Sequence, residues 1–236
     1  VDIDSSRRAV AIAQTNDHVW ASVGQHPLDN KDEVFKAGEY QRLIDAHREK
    51  IVCIGECGLD YYWPTKNMQD GTLTQVEFDA EKVRQKLLFL KNIMLAIAND
   101  LPLMLHVRSS EGTQDAHRDA LSLLLEYPEV RAVFHFYTEN ATLAQEITEA
   151  GYFISLPGVI TFADLDEVVR TVPVERIFAE TDSPYAAPKP YRGKTNCPLY
   201  VEEVYKKIAE VKQLPVEEVR VQILQNVQDF LRIGLL

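Results

Sequence analysis

Six short apolar runs, alternating with stretches of helical period, leave this chain few folds to adopt. VWASV (19–23), IVCIG (51–55), LPLMLHV (101–107), AVFHF (132–136), YFISL (152–156) and RIFAE (176–180) are apolar without a break rather than at alternate positions. A strand with one wet face shows a polar residue at every second place, so this pattern fits strands covered on both faces, as in a parallel sheet. Between the runs, Val83, Leu87, Leu90, Met94 and Ile97 recur at steps of three and four and mark one apolar face of a long helix. Leu143 and Ile147 do the same in a helix that stops at Gly151, a residue suited to the left-handed cap. Val201, Val204, Ile208 and Val211 mark another helix, and a last one starts near Val216 with Pro215 in its first turn. Strand and helix alternate with no linker, low-complexity stretch or repeat of fixed period, which predicts one α/β domain over residues 1–236.

Charge narrows the function classes. Thirty-six acidic against 25 basic residues give a net charge of -11, which argues against a protein that coats nucleic acid through a basic face. It leaves room for an enzyme that meets phosphates through metal ions and a few local cations. Segments such as PVEEVRVQ read as solvated helix surface. No apolar run approaches the roughly 20 residues of a membrane-spanning helix, and VDIDSSRRAV has no secretory core. Three cysteines make no disulfide framework, so a cytoplasmic location is expected, or a nuclear one in a eukaryote. Cys53 and Cys57 form a CxxxC without a second pair, and GECG lacks the Lys-Ser/Thr of a phosphate loop.

Five of the six apolar runs lead into a chemically capable side chain: His26, Glu56, His106, His135 and Asp182. Taken singly, each has an ordinary structural role: a hydrogen-bonded core histidine, an ion-paired glutamate, a turn residue, a capping aspartate. Those roles do not predict that all five fall at the same end of successive strands. In a β/α barrel the strand C-termini open on one face, where the active site lies. Three imidazoles and two carboxylates there suit one or two divalent ions. Glu180, two positions before Asp182, is expected on the outer face of its strand by alternation. His18, His47 and His117 are expected at the surface.

VGQHP, IGECGLDYYW, LPLMLHVRSS, HFYTEN, GYFISLPGVITF, ETDSPYAAPKPYRGKTN and LQNVQDFL, in that order, resemble the TatD family of metal-dependent deoxyribonucleases over nearly the whole chain. The resemblance implies a TIM (β/α) barrel of the metallo-dependent hydrolase type. It also implies that Glu56 bridges two metals, that His106 and His135 bind one, and that Asp182 binds the other and acts as base. His26 would lie near the substrate phosphate, with Arg108, Arg192 and Lys194 as phosphate contacts.

Departures from the pattern matter as well. The family opens with an H-x-H pair that is absent here, and VDIDSS resembles the end of the family's second strand. The expectation is therefore a barrel incomplete at its N-terminus, with six full strands and a stub at 1–3. HFYTEN and HVRSS also differ from the family's usual residues at those places. The implied activity is hydrolysis of DNA phosphodiester bonds, by water that a metal activates and Asp182 holds. Zn, Mg or Mn would serve, one or two per chain. An exonuclease fits an acidic protein with a pocket at one barrel mouth, its substrate a single strand or an end. Two other readings stay open: a hydrolase of small amides, lactones or esters on the same barrel, and a non-catalytic relative that binds metal or DNA.

Overall fold

Asp2 and Ser5 close a reciprocal cap at the start of the chain. Ser5 N–H donates to Asp2 Oδ1 at 2.7 Å, and Asp2 N–H donates to Ser5 Oγ at 2.8 Å. That cap starts helix α1 (Ile3–Gln14) where a strand stub was expected, because the pair satisfies two of the donors a helix start leaves open. The computed structural model describes residues 1–28 and 34–234, and it divides into two units, Val1–Ala132 and Val133–Leu236.

In the first unit α1 is followed by β1 (Ala21–Val23), α2 (Ala37–Ala46), β2 (Ile51–Asp60), α3 (Tyr62–Gln69), α4 (Gln75–Asn99), β3 (Leu103–Arg108) and α5 (Asp115–Leu125). The three strands pair in parallel in sequence order, as continuous apolarity predicts. β2 runs five residues beyond the apolar run that announced it, and every residue in it except Glu56 is buried. Its register against β3 shifts between Ile54 and Cys57, so Gly55 and Glu56 fall in an irregularity of the kind that re-aims a side chain. Gly58 then pairs with His106 at a φ of +131°, where a Cβ would meet His106 O at 2.3 Å. Only glycine lets the two strands approach that closely.

Helix α4 turns out differently from its periodicity. Thr74 and Glu77 cap it reciprocally, and Asp100 ends it in the left-handed conformation. The face marked by Val83, Leu87 and Met94 is the solvent face, with those side chains 57%, 54% and 44% exposed, and Leu90 and Ile97 half-buried. The buried face carries Phe78, Gln85, Leu88, Phe89, Asn92 and Ile93. Gln85 and Asn92 interrupt its apolar pattern, and both satisfy main-chain groups in the core. Gln85 Oε1 accepts from Asp60 N–H and its Nε2 donates to Asp60 O, both at 2.8 Å. Asn92 Oδ1 accepts from Gln25 N–H at 3.2 Å. A helix with two apolar faces misleads a periodicity argument; Phe89 and Ile93, each stabilising by roughly 1.5–3 kcal/mol on burial, fix which face goes inward.

β4 (Ala132–Phe134), α6 (Ala141–Glu149), β5 (Phe153–Leu156), α7 (Asp166–Thr171), β6 (Ile177–Ala179), α8 (Val201–Lys212) and α9 (Val216–Leu231) make up the second half. β4, β5 and β6 are again parallel in sequence order. α6 buries Leu143 and Ile147 and ends at Gly151 with φ +95°, as the sequence predicts. α8 buries Val204 and Ile208, and α9 follows directly on Pro215. Phe230 of α9 packs edge-on against Phe153 and Phe178 at centroid distances of 5.3 and 5.2 Å. Asn226 Nδ2 donates to Val174 O and Ile177 O, tying α9 to the start of β6.

Candidate active site

In the first unit, three of the sequence candidates meet. Ligand atoms of His26, Glu56 and His106 lie within 4.8 Å of one another, each residue half-buried. His26 sits three residues past β1, Glu56 in the irregularity of β2, and His106 near the end of β3. The rings of His26 and His106 meet edge-on with centroids 4.4 Å apart. Leu28 N–H donates to His26 Nδ1 at 3.3 Å. His106 presents Nδ1 to Glu56 Oε2 at 3.8 Å and Nε2 to Asp60 Oδ2 at 3.0 Å. Imidazole nitrogen and carboxylate oxygen so grouped have the donor chemistry of a divalent-ion site.

Asp60 is the residue that strand-end reasoning missed. It is buried, and it also accepts Trp63 N–H on Oδ1 at 3.3 Å, so one carboxylate holds both His106 and the first turn of α3. The signal was present in GLD: a carboxylate in an apolar strand four residues past Glu56. His117 is likewise not at the surface. It is buried on α5 with Nδ1 2.9 Å from Ser109 Oγ, and burial pushes its pKa down to about 4 against the opposing pull of Asp115. Cys53 and Cys57 are buried and inert, the Cys53 thiol pushed up to about 12 by burial. Arg108 ends β3 two residues past His106, exposed and on the same strand face.

The second unit holds the rest. His135 lies just past β4, and Glu180 just past β6, where strand alternation no longer applies. Glu180 therefore does not face outward: its Oε1 accepts Phe136 N–H at 3.0 Å and lies 3.4 Å from His135 Nδ1. Asp182 adopts a left-handed φ of +54°, and its carbonyl accepts Tyr185 N–H at 2.8 Å. Buried Asn196 holds this loop by donating to Thr181 O and Tyr185 O at 2.7 and 2.6 Å. Arg192 stacks its guanidinium on Phe162 at 3.7 Å, and Lys194 is exposed in the same loop. A stacked guanidinium keeps its N–H edges available for a phosphate.

Among the described residues no helix is long and apolar enough to cross a membrane. Residues 1–232 match the family model described as TatD related DNase. The chain is 33% identical over 232 residues to the uncharacterized metal-dependent hydrolase YabD of Bacillus subtilis, covering 96% of this chain and 83% of that one. It is 34% identical to the uncharacterized metal-dependent hydrolase YcfH of Escherichia coli K12, covering 86% of this chain and 69% of that one. Its fold matches the crystal structure of the E. coli TatD homologue YjjV with a TM-score of 0.83 at 22% identity, covering 99% of this chain and 85% of that one. A TatD family hydrolase of Entamoeba histolytica matches with a TM-score of 0.77 at 19% identity, over 97% and 81% of the two chains. The fold is that of the TatD-type α/β barrels, and with the family model matched from residue 1 to 232 the chain belongs to the TatD family of metal-dependent hydrolases.

Proposed function

We propose that this protein is a metal-dependent deoxyribonuclease that hydrolyses phosphodiester bonds in single strands or at ends. The observation that carries the reading is the His26–Glu56–His106 cluster on and just past the three parallel strands β1 to β3, with Arg108 on the same face of β3 as His106. The match to a family described as DNases supports DNA as the substrate, and its span supports reading residues 1–232 as one catalytic domain. Glu56 and His106 would hold a divalent ion such as Zn, Mg or Mn in the first unit. His135 and Asp182 would be ligands from the second, an assignment that rests on the family resemblance.

A bound ion supplies Lewis-acid polarisation of the phosphoryl group and lowers the pKa of water. The chain's own residues do the rest. Asp60 orients the His106 ring, so that its Nδ1 is the atom offered toward Glu56. His26 offers Nε2 to a phosphate oxygen, and Arg108 and Arg192 position flanking phosphates as planar forks. Lys194 adds a point charge. Asp182 takes the proton from attacking water, a role that needs a carboxylate held in fixed geometry by its loop. The test is turnover of single-stranded DNA and bis-p-nitrophenyl phosphate against a panel of lactones and amides, with metal added back to chelated protein. Metal-restored cleavage of the phosphodiesters is expected; activity on lactones alone would overturn the reading.

A further inference from the structure

Trp63 is 51% exposed although it opens a helix directly after the most buried strand of the first unit. Its neighbours are ordered around it. The Tyr62 and Trp63 rings meet edge-on at 5.4 Å, and the Arg108 guanidinium lies 3.7 Å over Tyr62 and 5.8 Å from the Trp63 ring. Lys66 approaches Tyr62 at 5.5 Å from the next turn of α3. Two aromatic rings and two cations thus share one surface.

That surface is rigidly registered to the candidate site. Asp60 pairs with Arg108 across β2 and β3, and Tyr61 N–H donates to Arg108 O at 2.8 Å. Asp60 holds Trp63 N–H through one carboxylate oxygen and His106 through the other. Buried Thr65 shares a 2.7 Å hydrogen bond with Ser110, whose N–H and hydroxyl both donate to Asp115 at 2.9 Å. Hydrogen bonds from Lys82, Ser110 and Thr113 outweigh the cost of Asp115's burial and hold its carboxyl at about 2, so this support keeps its charge. A single exposed tryptophan is unremarkable. One whose backbone is bonded to the carboxylate that orients a candidate metal ligand is placed for use.

We propose that Trp63, Tyr62 and Arg108 form a stacking platform for an unpaired nucleobase next to the phosphate under attack. This deepens the nuclease reading and rests on it. Aromatic faces accept any base, and a guanidinium stacked on one adds a cation without a basic patch, which suits a chain of net charge -11. A base inside a duplex cannot reach the platform, so it selects single strands and frayed ends.

The experiment is fluorescence anisotropy of labelled oligothymidylate, and of the same strand with abasic tetrahydrofuran residues, in EDTA so that no turnover occurs. Wild type should bind the base-containing strand roughly 10- to 100-fold more tightly than the abasic one. Trp63→Ala should abolish that discrimination, and Trp63→Phe should restore most of it, as stacking requires. Wild type binding both strands equally, or Trp63→Ala still discriminating, overturns the platform while leaving the nuclease reading in place. Wild type binding neither strand overturns the platform, and the nuclease reading then stands or falls with the metal-restored turnover.

Discussion

Asp60 Oδ2 lies 3.0 Å from His106 Nε2, while Nδ1 of the same ring faces Glu56 Oε2 at 3.8 Å. An ionised carboxylate can only accept, so Nε2–H donates to Asp60 and Nδ1 is the ring atom left facing Glu56. Removing such a partner usually costs ten- to a hundredfold in metal affinity. Asp60→Asn should therefore weaken binding of Zn or Mn about tenfold or more by calorimetry. An affinity equal to that of wild type would mean that the ring needs no orienting partner.

Gln85 holds both the N–H and the C=O of Asp60, at 2.8 Å each. Gln85→Leu keeps the volume and strands two buried main-chain groups, at about 1–3 kcal/mol apiece. A loss of roughly 2 to 4 kcal/mol in urea unfolding is expected. A loss under about 1 kcal/mol would show that water replaces the side chain without penalty.

The same two residues mark what could and could not be read in advance. Strand order, parallel pairing and the candidate ligands follow from apolar runs that end in His or Glu, because burial on both faces writes itself into every position. The inward face of α4 does not, since Gln85 and Asn92 look like surface residues until their main-chain partners are known. Glu180 was misplaced for a related reason: alternation locates a side chain only while the strand lasts, and β6 ends at Ala179. His117 looked exposed because a polar residue on a short helix gives no sign that Ser109 waits inside for it. Local periodicity reports burial of apolar groups well and burial of satisfied polar groups poorly.

His117 gives stability a definite pH window. Its folded pKa, about 4, lies below the ordinary 6.5 because of burial, with Asp115 opposing and His106 reinforcing the shift. Between those values the unfolded chain binds more protons than the folded one, so stability falls as pH drops from 6.5 toward 4. The full effect is on the order of 3 kcal/mol. His117→Gln should flatten this part of the stability profile, measured by urea midpoints from pH 7 to 4. An unchanged slope would assign the acid sensitivity to other groups.

Arg192 rests on Phe162 with its guanidinium 3.7 Å from the ring. If it holds a phosphate that does not react, it binds ground state and transition state alike. Arg192→Ala should then raise KM for single-stranded DNA several-fold with kcat little changed. It should also lower the salt slope of binding by about one counterion. A fall in kcat at constant KM would instead put Arg192 at the reacting phosphoryl group.

Glu56 and His26 belong to one cluster but should fail in different ways. Glu56 is the only residue of β2 that is not buried, and it is the carboxylate of the three-donor set. Glu56→Gln replaces an anion with a neutral amide of the same shape, so metal content and phosphodiesterase activity should fall together. His26 accepts Leu28 N–H on its Nδ1. As a phosphate contact it is dispensable to the ion, so His26→Ala should keep metal content within error by elemental analysis. Its kcat/KM should still drop by about tenfold or more, because a hydrogen bond to the reacting phosphate is lost. Loss of metal from His26→Ala equal to that from Glu56→Gln would make His26 a ligand, and the His26–Glu56–His106 triad a complete three-residue metal site.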